Sequence, residues 1–311
     1  MSGEVPEDIF SDLRPRIAQR YLHSLPFIKE ETFSMISSTI LSIVTFVYLL
    51  STIFYICYLA FRSSVIGNLA TSVTIVGLIG QITAFFLRWK ESYALGYGHI
   101  PLSNQFESMV FFALVIILIY LVIEYKFKIK TIGAFVTPVA SILLALTTLT
   151  DSFPNEIQPL VPALQSNWLT YHVITCFLGY AAFAVSFGVS MMYLMKTAVL
   201  DGKRTKGILP DERVLDDINY KAIAIGFPML TIGIITGAAW ANYAWGSYWS
   251  WDNKETWSLV TWLFYAAFLH ARFTRGWRGK KAAILSIIGF CAVIFTYFGV
   301  NYLLPGLHSY S

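Results

Sequence analysis

The sequence predicts an all-α polytopic integral membrane protein with about eight transmembrane helices and a Trp-rich outer loop. Only 13% of the 311 residues are charged, 56% are hydrophobic and the mean hydropathy is +0.62. Soluble domains carry about 25% charged residues, so these charges are too few to cover a soluble protein of this size. The small net charge of +4 gives no reason to expect nucleic-acid binding. The composition therefore favours a lipid environment and excludes soluble classes.

Eight long uncharged stretches account for the apolar surplus. The hydrocarbon core of a bilayer is as thick as about 20 residues of helix are long. A helix is expected because a lipid-exposed backbone must satisfy its own hydrogen bonds. A polar arm, residues 1–31, precedes the membrane domain, residues 32–311, and lacks the apolar core of a cleaved signal peptide. The predicted helices are 34–61, 63–87, 105–123, 131–149, 169–195, 221–241, 257–271 and 282–302, of which the third and seventh are short.

The distribution of basic residues predicts the orientation of the helices. Fifteen of the 22 Lys and Arg residues fall in the first, third, fifth and seventh connections. By the positive-inside rule these connections are cytoplasmic, or stromal in an organelle. Both termini and the connections 89–104, 151–168 and 242–256 then lie on the outer face.

The cysteines exclude two functional classes. Cys57, Cys176 and Cys291 are far apart, and no C-x-x-C pair exists. The chain is therefore predicted to be neither a disulfide scaffold nor a dithiol redox enzyme.

The most unusual stretch runs from Trp240 to Trp257 and contains five Trp and two Tyr interleaved with a few charged residues. A belt of interfacial aromatic residues explains one or two of them, but not this density. A flat aromatic surface with a few polar groups suits a large planar apolar ligand. The residues expected to bind it are Trp245, Tyr248, Trp249, Trp251, Asp252, Glu255 and Trp257.

Two outer histidines flank this Trp-rich segment. His172 falls in the first turn of the fifth predicted helix, and His308 follows the outer end of the last. Singly, each is more typical of a hydrogen-bonded helix end. Together, beside an aromatic surface, they suggest bis-imidazole ligation of a haem iron. Zinc is less attractive, because it takes three or four ligands and the sequence has no H-E-x-x-H motif.

A third histidine, His270, ends the seventh predicted helix on the inner side. Thirteen residues separate it from Trp257, which places it about 20 Å below the Trp-rich segment at 1.5 Å per residue. Because the bilayer makes ionisable groups costly, we treat His270 as a further candidate.

The second outer connection carries two weaker candidates, Arg88 and His99. Locally it reads as a turn followed by a helix N-cap at Ser103 or Asn104, with Glu107 in the first turn. A structural role is favoured for most of these residues. Arg88 and His99 remain candidates for holding acidic groups such as haem propionates.

Five segments, taken in order, closely resemble one known family. They include Trp-Gly-Ser-Tyr-Trp-Ser-Trp-Asp-Asn-Lys-Glu-Thr-Trp at 245–257, and the others are 98–108, 162–172, 269–272 and 298–310. The resemblance is to the CcsA, or ResC, family of system II cytochrome c biogenesis, in the haem handling protein superfamily with its WWD motif. It covers the chain from about Arg88 to the C-terminus.

This resemblance implies a function, a cofactor and partners. It implies that 32–311 is a haem-handling domain that binds haem b at the WWD loop on the outer face, with His172 and His308 as axial ligands and His270 as an inner haem residue. It also implies a CcsB/ResB-type membrane subunit, apocytochromes c with a CxxCH motif, and thiol-reducing pathway proteins. The chain would present haem as part of a cytochrome c synthase, in a bacterial inner membrane or a plastid thylakoid, and we assign it no catalytic residue.

One departure and two alternatives accompany this interpretation. The family pattern has proline where this chain has Asn253, which predicts a slightly softer loop. A haem exporter without axial ligation is the first alternative. A quinone-linked redox subunit is disfavoured, because such proteins pair histidines in mid-helix, whereas here the histidines lie near helix ends.

Overall fold

The chain folds as a helical bundle in a computed structural model that describes residues 36–150, 152–153, 155–199 and 209–304. The predicted polar arm and His308 lie outside the described residues. Within them the chain forms helices and no strands. The helices are α1 Ile36–Phe61, α2 Ser64–Ala94, α3 Gln105–Phe127, α4 Gly133–Thr148, α5 Asn167–Val199, α6 Glu212–Trp245, α7 Asn253–Arg275 and α8 Lys280–Ile294.

Seven of these helices, all except α7, are long and apolar enough to cross a membrane. For this count α8 includes a π-helical turn, Phe295–Gly299, and a last helical segment, Val300–Leu303. The helix α7 also has 23 residues but carries charges at both ends. The prediction of an all-α polytopic membrane protein is confirmed.

The predicted starts of α6 and α7 are wrong by several residues. The Asp211 side chain caps α6 by accepting a hydrogen bond from the Arg213 N–H, so α6 begins nine residues before position 221. Asp252 and Glu255 form a capping box that starts α7 at Asn253. In both helices the first turn is polar, so hydropathy alone does not detect it.

The core of the bundle is α5, the most buried of the seven spans. It contacts α3, α4, α6 and α8, and its most extensive contact is with α6. The backbones of α5 and α6 approach closely at Gly179. A Cβ atom there would lie only 3.0 Å from the Gly226 carbonyl oxygen, so a larger residue would push the two helices apart. Further along the same contact, Cys176 packs on Gly233 and His172 on Gly237. We call the three α6 glycines at 226, 233 and 237 the glycine seam.

Three connections meet at one end of the bundle, which we call the tryptophan end. The Trp240 Nε1–H donates to the Ala163 carbonyl over 2.8 Å, and the Tyr243 hydroxyl donates to the Gln165 carbonyl over 3.2 Å. These bonds join the connection before α5 to the end of α6. The connection between α2 and α3 joins the same group through His99.

The opposite end of the bundle, which we call the basic end, contains the α7–α8 turn. Asp216 of α6 accepts hydrogen bonds from Arg272 Nη1 and from the Gly279 N–H, each over 2.7 Å. The two bonds hold this turn against α6.

Candidate functional site

A cavity of about 220 Å³ lies at the tryptophan end between α5, α6, the start of α7 and the π-helical turn. Most of its wall is apolar or aromatic, and its polar groups come from a few side chains. The lining residues are Ser108, His172, Val173, Cys176, Phe177, Tyr180, Ile234, Gly237, Ala238, Trp240, Ala241, Tyr248, Trp249, Lys254, Glu255, Ser258, Thr296 and Tyr297.

The imidazole of His172 is held in one orientation and one tautomer. Its Nδ1 lies 2.7 Å from the Gly233 carbonyl oxygen, which can only accept a hydrogen bond, so Nδ1 carries the proton. The lone pair is then on Nε2. A neutral imidazole whose other nitrogen donates to a backbone carbonyl is the usual arrangement of a metal-binding histidine. His172 is therefore held in a tautomer and an orientation that suit a metal-binding histidine.

Two α6 residues fix the plane of the His172 ring. The Trp240 indole stacks on it with an interplanar angle of 11° and a centroid distance of 6.2 Å. On the glycine seam, a Cβ atom at Gly237 would lie 2.6 Å from His172 Nδ1, so only glycine leaves room for the ring. The orientation of His172 thus depends on α6 as much as on α5.

The Trp-rich segment is helical at both ends. Trp240 to Trp245 belong to α6, which ends at Gly246 with a φ of 76°, and α7 begins at Asn253. The connection proper is 246–252, and Trp251 has a φ of 60°, which is uncommon for a residue with a side chain. The chain therefore turns sharply here and presents its aromatic residues around the cavity.

Glu255 organises this connection from the first turn of α7. Its Oε2 accepts hydrogen bonds from the Ser250 N–H over 2.7 Å, the Ser250 hydroxyl over 3.1 Å and the Asp252 N–H over 3.2 Å. The other oxygen, Oε1, is buried and has no hydrogen-bond partner among the described residues. One carboxylate oxygen is therefore fixed by three donors, and the second is an unsatisfied acceptor.

Two further polar groups lie in the cavity wall. The Trp249 Nε1–H is buried without a hydrogen-bond partner among the described residues. Lys254, in the first turn of α7 and outside the seven apolar spans, lines the cavity beside it. Burial lowers the pKa of Lys254 to about 8, against a smaller opposing effect of the nearby Asp252 carboxylate. Because a buried ammonium is favoured by an anionic partner, this wall can accept a carboxylate.

The π-helical turn supplies two more polar groups of the cavity, the hydroxyls of Thr296 and Tyr297. The Tyr297 hydroxyl pairs with Ser108 of α3 over 2.6 Å, and the Thr296 hydroxyl pairs with Thr261 of α7 over 2.9 Å. Such turns often occur at functional sites, because they rotate side chains out of the regular helical register. Here the turn directs two consecutive residues to the cavity.

The cavity brings together four of the predicted site residues, namely His172, Tyr248, Trp249 and Glu255. Three others support it from outside. Trp251 packs edge-on against Trp249 with a centroid distance of 5.7 Å, Trp257 packs on Phe295, and Trp245 packs on Trp240. Asp252 caps α7.

His270, Arg88 and His99 lie outside the cavity lining. His270 is exposed on α7 near the basic end, two residues before Arg272, which pairs with Asp216. Arg88 Nε donates to Glu107 over 2.9 Å, and both side chains are buried. As predicted, Asn104 caps α3, and Glu107 also accepts from Ser103.

Sequence reasoning missed several residues of the cavity. Ser108, Cys176, Gly237 and Tyr297 line it, but none of the four was predicted as a site residue. One signal was present, since Gly233 and Gly237 are four residues apart on α6, as His172 and Cys176 are on α5. Residues four apart lie on the same face of a helix, and small residues on one face allow another helix to pack closely. The two pairs therefore indicate a close contact between α5 and α6.

Among the described residues, no three His, Cys, Asp or Glu side chains lie close enough to hold a metal ion by themselves. The site described above is instead a single oriented imidazole in an aromatic cavity of a polytopic membrane protein.

Residues 102–308 match the family described as cytochrome c assembly protein. The chain is 41% identical over 266 residues to the cytochrome c biogenesis protein CcsA of Heterosigma akashiwo, covering 74% of this chain and 81% of that protein. It is 40% identical over 294 residues to the CcsA protein of Microcystis aeruginosa, covering 78% of this chain and 86% of that one. The chain therefore belongs to the cytochrome c assembly family, in agreement with the resemblance to CcsA.

A solved structure has the same fold. The cytochrome c heme lyase CcmF superposes with a TM-score of 0.66 at 17% sequence identity, over 86% of this chain. The matched region is 46% of the CcmF chain, so this chain corresponds to about half of that protein. At this identity the likeness concerns the fold alone.

Proposed function

We propose that the chain binds haem b in the cavity at the tryptophan end and presents it for covalent attachment to apocytochromes c. The observation that carries this proposal is the hydrogen bond from His172 Nδ1 to the Gly233 carbonyl, which fixes the ring at the cavity wall in the tautomer that metal-binding histidines use. Membership of the cytochrome c assembly family supports the role in cytochrome c biogenesis.

The residues of the cavity fit haem as a substrate. Iron porphyrins take neutral imidazole as an axial ligand, and His172 is held in the required tautomer. The porphyrin plane needs apolar and aromatic walls, which Phe177, Tyr180 and Trp249 provide. The propionates need hydrogen-bond donors or cations, and the Trp249 Nε1–H and Lys254 are both in the wall.

Each element of the site has a part in this function. The Gly233 carbonyl raises the basicity of the His172 imidazole, and Trp240 and Gly237 fix its direction. On the resemblance to the family we propose His308, outside the described residues, as the second axial ligand. Thioether formation joins two cysteine thiols to the haem vinyl groups, and it depends on close positioning of the reactants.

The same proposal includes an entry site and partners. His270 would receive haem near the basic end, and its exposure on α7 leaves it accessible to a second membrane subunit. We propose a CcsB/ResB-type protein for that subunit and thiol-reducing proteins for the supply of reduced cysteines. The cavity would open to the lumenal or periplasmic side of a thylakoid or bacterial inner membrane.

The experiment that tests this function is a visible spectrum of the chain purified with its membrane partner. We expect a bis-histidine haem spectrum that is lost in His172→Gly and restored by added imidazole. The same result is expected for His308→Gly. His99→Gln is the matched control, because His99 lies at the same end of the bundle but outside the cavity.

Two other results would contradict the proposal. A haem spectrum indifferent to both glycine variants would remove the axial site and favour an exporter without ligation. Equal loss in His99→Gln and His172→Gly would indicate that the variants act through folding.

A further inference from the structure

Among the described residues, Glu255 is the one acidic residue in the cavity wall. Glu91 of α2 also has one bonded oxygen, which accepts from the Ser37 hydroxyl, and one buried oxygen without a partner among the described residues, but it lies outside the cavity lining. Two other buried carboxylates have both oxygens bonded. Glu124, inside the membrane, accepts hydrogen bonds from three hydroxyl groups and has both oxygens satisfied; the donors are Tyr55, Tyr120 and Thr71. Glu107 has Arg88 on one oxygen and Ser103 on the other. Those two carboxylates are satisfied within the protein and need no ligand.

Glu255 is only half satisfied. Three donors hold Oε2, which immobilises the carboxylate, whereas Oε1 is buried without a partner among the described residues. A buried acceptor without a donor is unfavourable. Because this oxygen lies at the wall of a cavity, a ligand that enters the cavity can supply the missing donor.

The chemistry of the two substrates identifies that donor. Haem offers carboxylates and a metallated ring, so it has no proton to donate to Glu255, and its propionates would be repelled. The apocytochrome motif offers two cysteine thiols, which are donors and must approach the haem vinyl groups. The acceptor and the vinyl edge would then share one cavity, because Glu255 and His172 both line it.

We propose that Glu255 is the acid–base residue of thioether formation, an inference that rests on the proposed function. Oε1 accepts the proton of the cysteine S–H as the sulfur forms its bond to the inner vinyl carbon. The vinyl C=C π bond breaks, and the proton passes from Glu255 to the outer vinyl carbon, which becomes a methyl group. The addition is redox-neutral, and the carboxylate returns to its starting state.

The chemistry benefits from such a residue because thiols are weakly ionised. A free cysteine has a pKa of about 8.5, so only a few per cent is thiolate at neutral pH. A positioned base typically contributes about 10²–10⁴-fold to the rate of a proton-transfer step.

The test compares Glu255→Gln with the wild type in the complex with its membrane partner. Glutamine suits the capping box as well as glutamate does, so Asp252 and Ser250 keep their acceptor while Oε1 becomes an amide nitrogen. The probe is a synthetic peptide containing Cys-x-x-Cys-His with reduced haem, and the haemochrome spectrum reports thioether formation. Glu212→Gln is the matched control, since Glu212 occupies the first turn of α6 and is exposed.

We expect Glu255→Gln to keep the bis-histidine spectrum and to attach haem about 100-fold more slowly. Its rate should rise about tenfold per pH unit up to about pH 8, because the thiolate must then form in solution, whereas the wild-type profile should be shallower. Glu255→Asp should recover part of the rate.

Three results would overturn this assignment. They are attachment by Glu255→Gln at the wild-type rate, a slower rate with an unchanged pH profile, and loss of the haem spectrum itself. Failure of the wild type to bind haem would instead contradict the proposed function, so the two failures are distinguishable.

Discussion

Two histidines at the tryptophan end have opposite surroundings. His99 is 7% exposed, and both its ring nitrogens face carbonyl oxygens, Nδ1 at 3.1 Å from Ile100 and Nε2 at 3.0 Å from Gln158. His172 uses Nδ1 for the Gly233 carbonyl and borders a cavity. The first arrangement joins two connections of the chain, whereas the second orients an imidazole at the wall of a cavity. The two histidines therefore lie at the same end of the bundle but differ in what their ring nitrogens contact.

The charged residues near these two histidines also differ in their surroundings. Arg88 and Glu107 neutralise each other in a buried pair beside the His99 connection. Lys254 and Glu255 line the cavity, and the Oε1 atom of Glu255 is buried without a partner among the described residues. We therefore expect changes around Arg88 to affect stability and changes around His172 to affect haem.

The largest expected effect is on stability, in Arg88→Met. Removing one member of a buried ion pair leaves the other charged and buried, which costs about 3–5 kcal/mol. Denaturant titration in mild detergent measures the loss. The matched control is Lys221→Met, whose pair with Asp217 is about half exposed and should contribute less than about 1 kcal/mol. Equal losses of stability in the two variants would contradict a structural role of the buried Arg88–Glu107 pair. Loss of haem from a fully folded Arg88→Met would also contradict it.

The next effect is on haem affinity, in Gly237→Ala. The added Cβ would lie 2.6 Å from His172 Nδ1, so the ring must rotate and the bond to Gly233 must break. Loss of such a supporting contact typically costs about 10–100-fold in metal affinity. Haem titration measures it, and imidazole should restore the spectrum. Gly80→Ala is the control, because its Cβ would meet only one side chain, Val44 of α1. Unchanged affinity in Gly237→Ala would count against a fixed His172.

A pH effect of intermediate size should come from Lys254. Its pKa is lowered to about 8 by burial, and a bound propionate would raise it again. Below pH 8 the ammonium is charged with or without haem, so affinity is highest there. Affinity should fall as pH rises through about 8, by up to about tenfold per unit. Haem dimethyl ester, which lacks the carboxylates, should show no such fall, and an identical fall for both would disprove the contact.

The smallest expected effect is a gain in stability, in Asn253→Pro. Asn253 is the first residue of α7, a position that suits proline because its N–H is not needed within the helix. The substitution should stabilise the chain by about 0.4–1 kcal/mol by restricting the unfolded state. Thermal unfolding measures it, and a lower stability would show that the softer turn is required by this chain.

The sequence predicts the helices well, because length and hydropathy are local properties. All eight predicted helices exist, and the errors are confined to their ends, as at Asp211 and Asp252, where caps start helices with polar first turns. The π-helical turn could not be predicted, since the residues 295–299 have an ordinary apolar composition.

The site is only partly predictable from sequence. The Trp-rich segment is conspicuous, and His172, Trp249 and Glu255 were named as site residues. The tautomer of His172 could not be predicted, because it depends on a carbonyl of another helix. The positions of Arg88 and His99 outside the cavity could not be predicted either. They depend on contacts with Glu107 and with the Gln158 carbonyl, which only the folded structure shows.

The measurement that tests this account most directly is a haem-loaded structure of the chain with its membrane partner. We predict iron within bonding distance of His172 Nε2, with the Nδ1–Gly233 hydrogen bond intact and the porphyrin inside the cavity at the tryptophan end. Iron bound at another residue, or a porphyrin outside this cavity with His172 unmoved, would contradict it.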